Sequence, residues 1–178
     1  KLLSLLNRQD IPMLPIASET PAAVFQMGSF QEVSDALVGL TWGAEDLPAA
    51  IGAATSRKPD GSYTAPYEMV RALTLFGAHA ASVAAIDTVF PNIKNLDGLA
   101  QYARDSARDG FVGMMAIHPA QIETINAAFT PSATDIAWAQ AVVDAFAEHP
   151  GAGVLELDGK MVDKPHLDQA KKLLAKAA

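Results

Sequence analysis

Over residues 1–129 short apolar runs alternate with longer stretches of helical spacing. Residues 12–17 carry Met13, Leu14 and Ile16 and stop at Ser18, Glu19 and Thr20. Residues 36–41, with Leu37, Val38 and Leu40, stop at a turn around Gly43. Residues 82–86, with Val83 and Ile86, end against Asp87, and residues 111–117 run from Phe111 through Met114 to His118 and Pro119. None of the four keeps the strict alternation of a half-exposed strand, so each reads as a parallel strand covered on both faces. Between them the spacing predicts helices over 22–28 (Phe25 and Met27 packing), 67–79 (Val70, Leu73, Leu75 and Phe76 inward), 96–108 and 120–129. Pro66 sits where a helix start tolerates it. Lys58, Pro59, Asp60 and Gly61 mark a turn within a loop over 56–64.

Four strand–helix units suit a doubly wound sheet or part of a (β/α)₈ barrel. No Gly-x-Gly-x-x-Gly follows any strand, while Glu19, Asp46, Asp87 and His118 stand at or just beyond strand C-termini, where barrels place their chemistry. A whole barrel needs roughly 200 residues or more. The fold class is therefore expected to be α/β, with residues 1–129 as the C-terminal half of a (β/α)₈ barrel. Leu2, Leu3, Leu5 and Leu6 before Asn7 look like the tail of a helix, which points to a longer protein. From Thr130 the pattern changes. Ser132 and Asp135 form a capping-box pair ahead of Ile136, Ala139, Val143 and Phe146. Asp158 and Gly159 join two short runs as a hairpin, and Pro165 opens a last helix with Leu167, Ala170, Leu174 and Ala177 on one side. Residues 130–178 are expected to form an extension of helix, hairpin and helix.

Composition narrows the function. Half of the 178 residues are hydrophobic and 19% charged, which excludes a disordered chain. The net charge of −7 argues against a nucleic-acid partner, since no basic stripe exists to neutralise phosphates. Cysteine is absent, which removes disulfides, zinc–thiolate sites and thiol nucleophiles and suits a reducing cytoplasm. No run approaches 18 consecutive apolar residues, so a membrane partner is not expected. The six methionines form no stripe and read as packing residues.

Glu19 and Asp46 are the leading candidates for chemistry. Adjacent parallel strands lie about 5 Å apart, so carboxylates at their two ends can share one Mg²⁺, the remaining ligands being water and substrate oxygens. The alternative is that Asp46 caps a following helix and Glu19 is merely solvated. Gly43, Ala44 and Glu45 form a tight turn whose N–H groups are placed to bind a carboxylate. His118 before Pro119 reads as structural, and Asp87 and Asp163 are open between cap and catalyst.

Together these residues resemble the citrate lyase β-subunit-like family of the HpcH/HpaI aldolase superfamily, which includes malyl-CoA and citramalyl-CoA lyases. The resemblance is carried by Glu19 and Thr20, by Gly43 to Leu47, by Ile86 and Asp87, by Ile117, His118, Pro119 and Gln121, and by Leu157 to Asp163. It implies a (β/α)₈ barrel with a C-terminal extension, of which an earlier part, with a substrate-binding arginine, is missing here. It implies Glu19 and Asp46 as Mg²⁺ ligands, Glu19 with the backbone at Ala44 and Glu45 as substrate-binding, and Asp163 as a catalytic acid/base that enters a neighbouring subunit's site. Met114 and Asn92 and Asn95 depart from residues common in relatives. The implied activity is Mg²⁺-dependent carbon–carbon cleavage of a β-hydroxyacyl-CoA thioester of malyl, citramalyl or citryl type, in a cytoplasmic homo-oligomer, a trimer or a multiple of it. A CoA-independent aldolase and a non-catalytic CoA-ester-binding paralogue are the alternatives.

Overall fold

A computed structural model describes residues 10–32 and 35–177. They fall into two compact units divided after Phe129. The run containing Leu2 to Leu6 lies outside the described residues.

In the first unit the elements are α1 (Pro21–Val24), a 3₁₀ segment (Met27–Glu32), β1 (Gly39–Leu40), α2 (Leu47–Ile51), α3 (Ala65–Ala80), β2 (Ala84–Asp87), α4 (Leu96–Asp109), β3 (Gly113–Met114), a 3₁₀ turn (Pro119–Gln121) and α5 (Ile122–Phe129). β1, β2 and β3 pair in parallel in that order. Parallel bridges Met13–Leu37 and Ile16–Thr41 lay residues 13–16 beside β1. The sequential order, without the reversal of a doubly wound sheet, is that of successive barrel strands. The strands are shorter than their apolar runs because hydrogen bonding is regular only at their centres. Residues 12–17 make bridges rather than a strand.

Apolar spacing decides which faces the helices bury. In α3 the buried positions are Tyr67, Val70, Thr74, Gly77 and Ala78. Phe76, expected inward, is 66% exposed, because it lies on the other side of that stripe. Phe25 is likewise 82% exposed, its short helix presenting Val24 to the core instead, whereas Met27 is buried. Met69 and Met161 are exposed too, so packing accounts for some of the methionines and not for those two. α4 buries Leu99, Ala103 and Ser106, starts at Asn95, whose side chain accepts from Gly98 N–H at 2.9 Å, and runs to Asp109. One cluster joins Ala17, Leu37, Leu40, Ala85 and Phe111 under α3; another joins Leu99, Ala103, Met114 and Ile125.

The second unit holds α6 (Ala133–Glu148), the antiparallel hairpin β4 (Val154–Leu157) and β5 (Lys160–Asp163), and α7 (Lys164–Ala177). Ser132 and Asp135 make the reciprocal capping box at the start of α6. Asp158 and Gly159 both take positive φ, 49° and 74°, the combination that suits a two-residue turn to the twist of its strands. Ala139, Val142, Val162 and Ala170 form this unit's core. No described helix is long and apolar enough to cross a membrane.

Candidate functional site

The candidate site begins where β1 ends. Ala17 N–H donates to the Thr41 carbonyl at 2.7 Å, and Thr41 N–H to that of Pro15 at 3.1 Å, so the two segments run side by side to their last residues. Just beyond, the buried Ser18 hydroxyl accepts from Gly43 N–H at 3.0 Å. Two acidic side chains approach each other over Gly43. A Cβ built there lies 3.4 Å from Glu19 Cγ, 3.8 Å from Asp46 Oδ2 and 3.2 Å from Ile16 Cγ2.

Both acidic residues are exposed. Neither carboxylate makes a hydrogen bond or ion pair with a described residue. Asp46 occupies the N-cap position of α2, yet its backbone is αR (φ −88°, ψ −34°) and its side chain makes no capping bond. The reading of Asp46 as a cap is thereby removed. Two acidic side chains on either side of one glycine, both open to solvent, are hard oxygen donors of the kind a divalent cation takes. Among the described residues no group of three or more His, Asp or Glu side chains placed to hold a metal occurs, so Glu19 and Asp46 would supply two ligands and not a closed cage.

Ala44 is buried against Val24, Trp42, Leu47 and Tyr63, which fixes the backbone of the turn. The N–H groups of Ala44 and Glu45 donate to no described residue. Successive free amides in a turn suit an anion. Gly43→Ala puts a methyl 3.2 Å from Ile16 Cγ2 and 3.4 Å from Glu19 Cγ, so these exposed side chains have to shift by a few tenths of an ångström. The expected result is weaker divalent-metal binding in a folded protein, checked by titrating the metal against the variant.

Behind the turn, Asp87 is fully buried at the end of β2. Its carboxylate accepts from Trp42 Nε1 at 2.7 Å, Thr88 N–H at 2.8 Å, Tyr102 OH at 3.2 Å, Arg71 Nε at 2.8 Å and Ser106 Oγ at 2.7 Å. Five donors saturate a carboxylate. That makes Asp87 an internal tie, neither cap nor base. Burial opposes the charge on Arg71, but the neighbouring Asp87 and a 2.7 Å bond to Asp109 prevail and hold its pKa above the usual value. The Tyr102 hydroxyl is pushed up by burial and then by Asp87. Trp42, Arg71, Tyr102 and Ser106 carried no sequence signal; only the strand-end position of Asp87 pointed here. Between the 56–64 loop and the start of α4 lies a cavity of ≈570 Å³, lined among others by Arg57, Ser62, Phe90, Asn95 and Tyr102.

His118 is exposed, and its Nδ1 accepts from Ala120 N–H at 3.1 Å, capping the 3₁₀ turn as the structural reading expects. Asp163 belongs to the other unit and its partners there are local. Its Oδ1 lies 2.5 Å from His166 Nδ1 and accepts from His166 N–H at 3.4 Å. The side-chain bond from His166 holds the Asp163 carboxyl below the ordinary carboxylate range. Its contribution to stability is present above the unfolded-state value and is lost as pH falls through the depressed one. His166→Ala is expected to return the Asp163 titration, followed by carboxyl carbon NMR, toward 3.8, the unperturbed value; an unmoved titration counts against the bond.

Residues 29–178 match a family described as C-C bond lyase of the TIM-barrel fold. A citrate lyase subunit beta-like protein of Mycobacterium tuberculosis (strain CDC 1551 / Oshkosh) is 40% identical over 144 residues, covering 81% of this chain and 52% of that protein. The mitochondrial citramalyl-CoA lyase of Rattus norvegicus is 34% identical over 143 residues, covering 79% and 41%. A crystal structure of protein CitE from Mycobacterium tuberculosis, in complex with magnesium, acetoacetate and coenzyme A, aligns with a TM-score of 0.79 at 32% identity, over 99% of this chain and 72% of that one. The chain spans about half the length of the curated relatives it matches.

Proposed function

The chain belongs to the C-C bond lyase family of the TIM-barrel fold, and we propose that the complete protein cleaves a carbon–carbon bond in a β-hydroxyacyl-CoA thioester with Mg²⁺. One observation carries this reading: Glu19 and Asp46, neither carboxylate bonded to a described residue, flank Gly43 beside the amides of Ala44 and Glu45, which donate to no described residue. Hard oxygen donors of this kind fit Mg²⁺, which keeps several water or substrate ligands. Named relatives support the substrate class: one is a citramalyl-CoA lyase, and the CitE structure was solved with magnesium and coenzyme A.

When bound, the metal supplies Lewis acidity and a template for oxygen-centred charge. Glu19 and Asp46 hold it at the strand ends. The amides of Ala44 and Glu45 bind the carboxylate of the 2-hydroxy or 2-oxo acid portion and orient the bond to be broken. A base takes the hydroxyl proton, the C–C bond breaks with its electron pair passing to a thioester enolate, and that enolate takes a proton at carbon, giving a 2-oxo acid and an acyl-CoA. Asp163, ionised at neutral pH because His166 holds its carboxyl low, takes up a proton and delivers it to that carbon, entering the site of a neighbouring subunit in a cytoplasmic homo-oligomer, a trimer or a multiple of it.

Assay of the complete protein against malyl-, citramalyl- and citryl-CoA with and without Mg²⁺ tests the reading. Metal-dependent release of a 2-oxo acid and an acyl-CoA supports it. Cleavage of the free hydroxy-diacids alone, or thioester binding without turnover, overturns it. The shared-site assignment has its own test: inactive Asp163→Ala and inactive Asp46→Ala proteins, mixed under proven subunit exchange, are expected to recover partial activity. No recovery places Asp163 outside the neighbour's site.

A further inference from the structure

The saturated carboxylate of Asp87 takes no part in substrate chemistry, yet its bonds converge on the strand end that carries the site. Trp42 Nε1 donates to Oδ1 at 2.7 Å, and the Thr41 hydroxyl donates to the Asp87 carbonyl at 3.4 Å. These two consecutive residues immediately precede Gly43. On the other side of β1, Ser18 anchors Gly43 N–H at 3.0 Å. The strand end is thus gripped from both neighbouring segments. Trp42 is also fixed through its ring, which meets Tyr63 edge-on at 5.0 Å.

The grip on the β2 side is itself held rigid. Arg71 Nε and Ser106 Oγ take Oδ2 at 2.8 and 2.7 Å, so α3 and α4 both set the orientation of the carboxylate. Arg71 is fixed in turn by Asp109 at 2.7 Å and by the Phe111 ring, 4.7 Å away. We propose that Asp87, oriented by Arg71, is a positioning residue for the metal site. Through Trp42 and Thr41 it sets the backbone from which Gly43, the Ala44 and Glu45 amides and Asp46 project. The inference rests on Glu19 and Asp46 being the metal ligands. A ligand pair with only two protein carboxylates depends heavily on such support, because small displacements of either donor are not compensated by further protein ligands.

Trp42→Phe in the complete protein removes the indole donor and keeps an aromatic ring against Tyr63. Mn²⁺ binding, read by electron paramagnetic resonance, is expected to weaken about tenfold. The KM for Mg²⁺ rises in step, and kcat at saturating Mg²⁺ stays within about threefold. Thr41→Val, which removes only the hydroxyl, shifts Mn²⁺ affinity in the same direction by less. Ile125→Val, in the separate cluster with Leu99, Ala103 and Met114, lowers thermal stability without changing Mn²⁺ affinity. Trp42→Phe and Thr41→Val binding Mn²⁺ as tightly as the wild type overturns the proposal, as does an equal weakening in Ile125→Val. A wild-type protein that binds no Mn²⁺ overturns the ligand assignment itself and this proposal with it.

Discussion

Asp46→Asn in the complete protein is expected to abolish Mg²⁺-dependent turnover while the protein stays folded. The exposed carboxylate makes no bond to a described residue, so stability changes by no more than about 0.5 kcal/mol. What is lost is one of two anionic ligands. A carboxamide keeps the shape and one oxygen but not the charge, and Mg²⁺ prefers carboxylate and water oxygens. Lewis-acid stabilisation of several kcal/mol corresponds to a fall in rate on the order of a thousandfold. Glu19→Gln, on the other side of Gly43, is expected to behave alike. Steady-state rates over a Mg²⁺ titration check both; wild-type turnover at limiting Mg²⁺ in either variant removes that residue from the ligand set.

Arg71→Met carries the largest expected effect on stability. It leaves Asp87, with 0% side-chain exposure, without its only ion-pair partner among the described residues. Breaking a buried pair from one side costs about 3–5 kcal/mol, because the remaining charge stays desolvated. The hydroxyl, indole and amide donors around Asp87 favour the lower end of that range. The variant also loses an acid-sensitive contribution. Burial raises the Asp109 carboxyl, but the bonds from Arg71 and Arg108 outweigh it and hold it below its ordinary value of 3.8. That contribution is present above 3.8 and lost as pH falls through the depressed value. Urea unfolding at neutral pH measures the total; a loss under about 1 kcal/mol, the range of an exposed pair, contradicts the account.

How much of this was legible in the sequence depends on the range of the interaction. Helix starts and turns are local: Ser132 with Asp135 and the Asp158–Gly159 turn were both written in neighbouring residues. The parallel order of the strand segments followed from apolar runs alternating with helices. The exposure of Phe25 and Phe76 did not, because a short helix or a single turn rotates by one position without changing composition. The candidate ligands Glu19 and Asp46 were visible as acidic residues beyond strand ends. Asp46 was equally visible as a cap, and only its αR backbone and unbonded side chain separate the two. The network behind the turn was not legible, since Trp42 and Asp87 meet across 45 residues and Arg71 and Asp109 across 38. Asp163 was legible both as a cap and as a catalyst, and within its own unit its partner is His166.

The central claim is that Glu19 and Asp46 together hold one divalent cation. Mn²⁺ titration of the complete protein, followed by electron paramagnetic resonance, measures this without relying on turnover. The account predicts one Mn²⁺ per chain, competed by Mg²⁺, and no binding in the Glu19→Gln, Asp46→Asn double variant. Undiminished binding of Mn²⁺ by that double variant contradicts it.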